Sequence, residues 1–148
     1  MKYLTENGYD RDAYVSYLES IRDRLPEHVM QFASDPDLFY RSFHDSWLDY
    51  LNIVEVAAGE RMEERSTEIE VRLLGPFHDR RVFIRYKGVI EYQFRADNVE
   101  KGHGDLLLHE VHLGDDSELI HELEFDRHRT MVIRCRDLIH WEDPYSYK

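Results

Sequence analysis

The chain has 148 residues and a formal net charge of −12, with 31 acidic side chains against 19 basic ones. That length suits one domain, spanning 1–148, which buries roughly 68–70% of its unfolded surface. The charge argues against direct binding to nucleic acid or to an anionic membrane, where basic groups must neutralise phosphates, and leaves room for a basic protein partner. Apolar runs stop at three residues, as at Leu106–Leu108, far short of the ~20 that span a bilayer. The first residues, "MKYLTENGYDRDAY", lack the apolar core of a signal peptide. The single cysteine, Cys135, excludes an intrachain disulfide framework. These features lead us to expect a cytoplasmic protein.

In chain order, Asp10 or Asp12 is placed to cap a helix, and Tyr14, Tyr17, Leu18, Ile21 and Leu25 recur at helical spacing as one apolar stripe. Pro26 ends that helix and suits the start of a second, whose face is Val29, Met30 and Ala33. "SDPD", 34–37, stops it, and a third helical turn falls around Leu38–Arg41. After His44 the period changes. "SWLDYLNIVEV", 46–56, reads as a strand, "AAGERMEERS" as a polar loop or hairpin arm, and "TEIEVRLL" alternates Ile69, Val71 and Leu73 against charges. "RRVFIRY" is a strand, and after Lys87-Gly88 "VIEYQF" either continues it past a bulge or starts a new one. "LLLHEVHL", "ELIHELEF" and "TMVIRCRDLIHW" follow, separated by short turns. The expected fold is α+β: a helical part over 1–44, packed on an antiparallel meander of six or seven strands over 45–148. Trp47, Leu51, Val71, Ile84, Leu107, Leu123 and Ile133 are its predicted core.

The succession "SFHDSWLDYLNI", "VFIRYKGVIEYQF", "LLLHEVHL", "IHELEF" and "MVIRCRDLIHW" resembles a group of small, mostly uncharacterised bacterial proteins. Some of these are grouped with the immunity proteins of polymorphic toxin systems. The resemblance covers residues 42–142 and leaves the helical N-terminal part out. It implies a toxin-neutralising role and carries no catalytic motif.

Two histidines, His109 and His121, fall in phase with the apolar residues of their strands. If "GDD", 114–116, is a three-residue turn, His109 lies opposite His121, and His121 opposite Cys135. Directly opposed Cβ atoms are ~4.5–5.5 Å apart, so such a row has the ligand types for zinc, and a His–Cys pair could activate a thiolate. A two-residue slip in either turn would keep the sidedness and destroy the row. No HExxH, CxxC or CxxH spacing accompanies it, so the expected role is neutral core imidazoles, each with a hydrogen-bond partner. His44-Asp45 has the look of a metal-hydrolase doublet but precedes a strand, where Asp45 is expected to accept backbone N–H bonds. No phosphate loop or nucleophile elbow is present, and no cofactor is implied.

Between Gly102 and Asp126 there are eight acids and no Lys or Arg. The same register sets Glu122 opposite Arg134, a pair worth about 0.2–1 kcal/mol. The leading expectation is a non-enzymatic interaction module that presents Glu110, Asp115, Asp116, Glu118, Glu122 and Glu124 to a basic protein such as a toxin domain. The alternative is a small metal-dependent hydrolase using His109, His121 and Cys135, or His44 and Asp45.

Overall fold

The computed structural model describes residues 1–5 and 8–145. A two-residue hairpin absent from the sequence reading comes first, β1 (Leu4–Thr5) against β2 (Gly8–Tyr9). Helix α1 (Arg11–Ser20) is capped by Asp10, whose carboxylate accepts the Ala13 N–H at 3.0 Å. Its apolar stripe continues through a short turn to Leu25, so that Tyr14, Leu18, Ile21 and Leu25 are all buried. Pro26 then opens α2 (Glu27–Ser34), which buries Val29, Met30 and Phe32. Asp35 caps a single turn, α3 (Pro36–Leu38), by accepting the Asp37 N–H. A wider π turn, Phe39–Phe43, follows and carries Phe43 into the interior. Among the described residues no helix is long and apolar enough to cross a membrane.

Six antiparallel strands form the main sheet: β3 (Trp47–Ala58), β4 (Glu64–Leu74), β5 (Arg80–Arg95), β6 (Leu106–Leu113), β7 (Leu119–Phe125) and β8 (Arg129–Pro144). Their order is β3-β4-β5-β8-β7-β6. The expected α+β architecture is therefore present, built as two three-stranded meanders joined along β5 and β8. β5 runs unbroken through Gly88, which sits at φ +58°, a left-handed conformation that glycine adopts without penalty. A register shift lies just beyond it, between Val89 and Glu91. The inward phase of β8 slips at the same level: Met131, Ile133 and Cys135 are buried, and then Leu138.

The two outer strands also meet at one end. Asp45 N–H donates to Leu106 O and Leu106 N–H to Ser46 O, both at 2.9 Å, and Trp47 bridges to Asp105. This seam rolls the sheet into a partly closed barrel. At the other end β3 and β4 outrun their neighbour: they pair as far as Ala58 with Glu64, whereas β4 pairs with β5 only between Leu74 and Ile69. Residues 53–68 thus project as a two-stranded arm.

Of the predicted core, Val71, Ile84, Leu123 and Ile133 are fully buried, and Leu51 and Leu107 half-buried. Trp47 is a correction, since it is 48% exposed. A register shift between Leu48 and Tyr50 moves the inward phase of β3 onto Leu48 and Leu51. Trp47 is left at the rim, where its indole N–H donates to the Asp105 carboxylate at 2.7 Å.

Candidate functional site

The turns that flank β7 decide what the histidines do. Leu113 pairs with Leu119, not Ser117, because Gly114–Glu118 forms a five-residue loop with Ser117 at φ +60°. Glu118 holds that loop by accepting the Asp116 N–H at 2.9 Å and binding Arg134 at 2.6 Å. The next turn is shorter than the expected register implied, with Phe125 pairing with Arg129 rather than Met131 across the three residues Asp126–His128. Each turn displaces the register by two residues. Val111 faces His121, which faces Ile133, and Cys135 faces Leu119. The row His109–His121–Cys135 is therefore not formed, and Glu122 lies opposite Val132 rather than Arg134.

The sidedness survives the displacement, as a two-residue slip requires. His109 and His121 are both buried and now meet on the diagonal, Nδ1 of His109 to Nε2 of His121 at 2.9 Å. His121 Nδ1 in turn lies 2.7 Å from the Tyr86 hydroxyl. Tyr86 is fully buried, and a donor left unpaired in such a place costs about 1–3 kcal/mol. Its O–H must therefore donate to His121 Nδ1, the partner the fold offers it. A neutral His121 then carries its proton on Nε2 and donates to His109 Nδ1, which leaves the His109 proton on Nε2. The direction of the chain is thus set from the interior outward: Tyr86 to His121 to His109.

Burial keeps both imidazoles neutral. Removal from water lowers the pKa of His109 to about 4, helped by the nearby His140. Burial lowers His121 well below the usual histidine range, with His109 and His112 adding to it. Phe32 from α2 packs against three imidazoles, its ring centroid 5.4 Å from His109, 5.3 Å from His121 and 5.6 Å from His140. Cys135 is fully buried and its thiol is pushed up to about 12, first by burial and then by Asp137. At neutral pH it is a protonated core residue.

For metal binding, the facing nitrogens of His109 and His121 are used on each other. Among the described residues no group of three or more His, Cys, Asp or Glu is placed to hold an ion. His44 contacts the Leu107 carbonyl through Nδ1 and lies 3.6 Å from Asp45 through Nε2. Asp45 acts through its backbone, at φ +66° and with its N–H on Leu106 O, rather than as the expected carboxylate acceptor.

Above His109 opens a cleft of about 290 Å³, bounded by β2, α1, α2, the π turn and β6. Tyr14, Leu18, Phe32 and Phe39 make its walls, Arg11 and Asp35 are exposed at its mouth, and His109, only 6% exposed, lies at its depth. Tyr86, Phe32 and Arg11 were not singled out from the sequence. Each sits in a pattern that reads as plain strand or helix, and only the tertiary packing gives it a role.

The acidic run does not form one patch. Glu110 is fully buried and accepts the backbone N–H groups of Lys2 and Tyr3, each at 3.1 Å, and pairs with His112. Glu118, expected at an exposed tip, is buried against Arg134. Glu124 is buried beside His128, and Glu122 is partly exposed near the α-amino group of Met1. Asp115 and Asp116 alone of the six stand exposed. No protein-family model, curated protein or solved structure matches the chain.

Proposed function

We propose that the chain is a non-catalytic protein-interaction module for a basic partner, with a toxin domain as the most concrete candidate. The observation that carries this reading is the β3–β4 arm. Ile53, Val54, Val56 and Met62 are exposed along it, from 38% for Val56 to 63% for Met62. Clustered exposed apolar groups rimmed by polar residues mark interaction surfaces. Among the described residues, the outer edge of β4 beyond Ile69 has no strand beside it, so it offers backbone groups to an added strand. The charge is also of the right sign: from Asn52 to Glu68 there are five acids and two arginines. Asp115 and Asp116 add negative charge at a second exposed loop. The immunity reading rests in addition on the resemblance over residues 42–142.

The test is binding to the product of an adjacent toxin-like gene. The double substitution Val56→Glu with Met62→Glu should abolish the complex and leave circular dichroism unchanged. Asp115→Lys with Asp116→Lys should slow association at low salt, an effect that fades as the Debye length falls from ≈ 10 Å at 0.1 M to about 3 Å at 1 M. Full binding by the arm variant would overturn the proposal.

A further inference from the structure

The cleft above His109 has a feature that the interaction reading does not use. Its walls are rings and aliphatic groups, and at its depth lies one side chain, 94% buried by its 6% exposure, whose remaining nitrogen has no protein partner among the described residues. The Tyr86–His121–His109 chain sets that nitrogen, Nε2, as an N–H donor. Hydrogen bonds in series polarise one another, so the last donor of a buried chain is stronger than an isolated one.

The geometry points to a binding site for a small uncharged molecule with an apolar body and one carbonyl oxygen, the oxygen accepting from His109 Nε2–H. Three observations select this class. At about 290 Å³ the cleft sits at the low end of ligand pockets, which run from about 300 to 1,000 Å³, so it suits a single ring with a short substituent. The donor at its depth is one neutral N–H, which matches one acceptor. Among the described residues no charged side chain accompanies His109 at depth: Arg11 and Asp35 line the cleft but are both exposed. A carboxylate drawn down to His109 would lose its water without gaining a counter-charge. The imidazole is held neutral by its burial, so it remains a donor through Nε2 alone at physiological pH.

The probe is acetophenone, compared with ethylbenzene, which lacks the oxygen, and benzoate, which carries a charge. Nitrogen-15 spectra of histidine-labelled protein should show His109 protonated on Nε2 and unprotonated on Nδ1, and acetophenone should shift the Nε2 signal. His109→Phe should weaken acetophenone about tenfold, the loss of one good hydrogen bond, and leave ethylbenzene unchanged. Benzoate should bind at least about tenfold more weakly than acetophenone. If His109→Phe does not fold, Val15→Trp at the rim supplies the second variant: it should block acetophenone while the His109 tautomer signature persists. A His109 protonated on Nδ1, no acetophenone binding, equal losses for acetophenone and ethylbenzene, binding that survives Val15→Trp, or a preference for benzoate would each overturn the assignment. None of these results depends on the arm, so the two proposals fail separately.

Discussion

β6 and β3 are the outer strands of one sheet, yet they meet their surroundings in opposite ways. β6 is sealed by hydroxyl groups. The Tyr14 phenol accepts the Val111 N–H at 2.7 Å and donates to the Val111 carbonyl at 3.3 Å, and the Tyr17 phenol accepts the Leu113 N–H at 2.9 Å. Helix α1 thus supplies side chains where a further strand would have supplied backbone. Among the described residues, β3 past the level of β5 pairs with β4 alone. Its residues 53–56 are exposed on both faces of the ribbon. An uncovered edge invites pairing with another chain, so the sealed edge of β6 reads as structural, and the open edge of β3 is the side on which the proposed interaction rests.

Four measurements test that contrast. The largest effect belongs to the sealed side: Phe32→Ala removes the ring packed among three imidazoles and should cost about 3–5 kcal/mol in urea unfolding. A loss under about 1 kcal/mol would show that α2 is not part of the core. Next comes pH. The pKa of His109 in the folded state, about 4, lies below its ordinary value of 6.5. The unfolded chain therefore binds the extra proton, and stability present above pH 6.5 is lost as pH falls toward 4, by about 3 kcal/mol. His121 acts in the same direction. Unfolding free energies measured across this window should slope accordingly, and the slope should shrink in His109→Phe. Tyr14→Phe should cost about 1–3 kcal/mol, because it strips Val111 of its edge partner. Hydrogen exchange at Val111 and Leu113 should be slow in the wild type and faster at Val111 in that variant. On the open side, Ile53→Ser should change stability by no more than about 0.5 kcal/mol. A larger loss would mean that the arm packs against something and is not a free surface.

What the sequence disclosed follows the same division. Periodicity placed Tyr14, Leu18, Ile21 and Leu25 on one helix face, and Val71, Ile84, Leu123 and Ile133 on the inner side of the sheet, because burial repeats with the backbone period. It also put His109 and His121 inside, since a two-residue slip preserves sidedness. Register depends on turn geometry, and the turns at Gly114–Glu118 and Asp126–His128 use non-glycine residues at positive φ, Ser117, Arg127 and His128, which composition does not announce. The His109–His121–Cys135 row and the Glu122–Arg134 pair were lost for that reason. The acids misled in another way: Glu110 and Glu118 count as surface charge in a sequence, but in the fold they serve as acceptors for backbone N–H groups. The tyrosine hydroxyls were hidden inside an apolar stripe, where the ring and not the oxygen set the pattern.

The seam between Asp45–Trp47 and Asp105–Leu106 bears on the order in which the chain assembles. Within each meander every strand pairs with its immediate successor, and such local pairings form early. The seam joins segments separated by the whole first meander, so its closure carries a large loop entropy and contributes only a few hydrogen bonds in return. It is therefore expected to form after the rate-limiting step. Replacing Trp47 by Phe, which removes the indole bond to Asp105, should speed unfolding and leave the folding rate nearly unchanged. Stopped-flow measurement of both rates would show whether the barrel closes as a latch or as a nucleus.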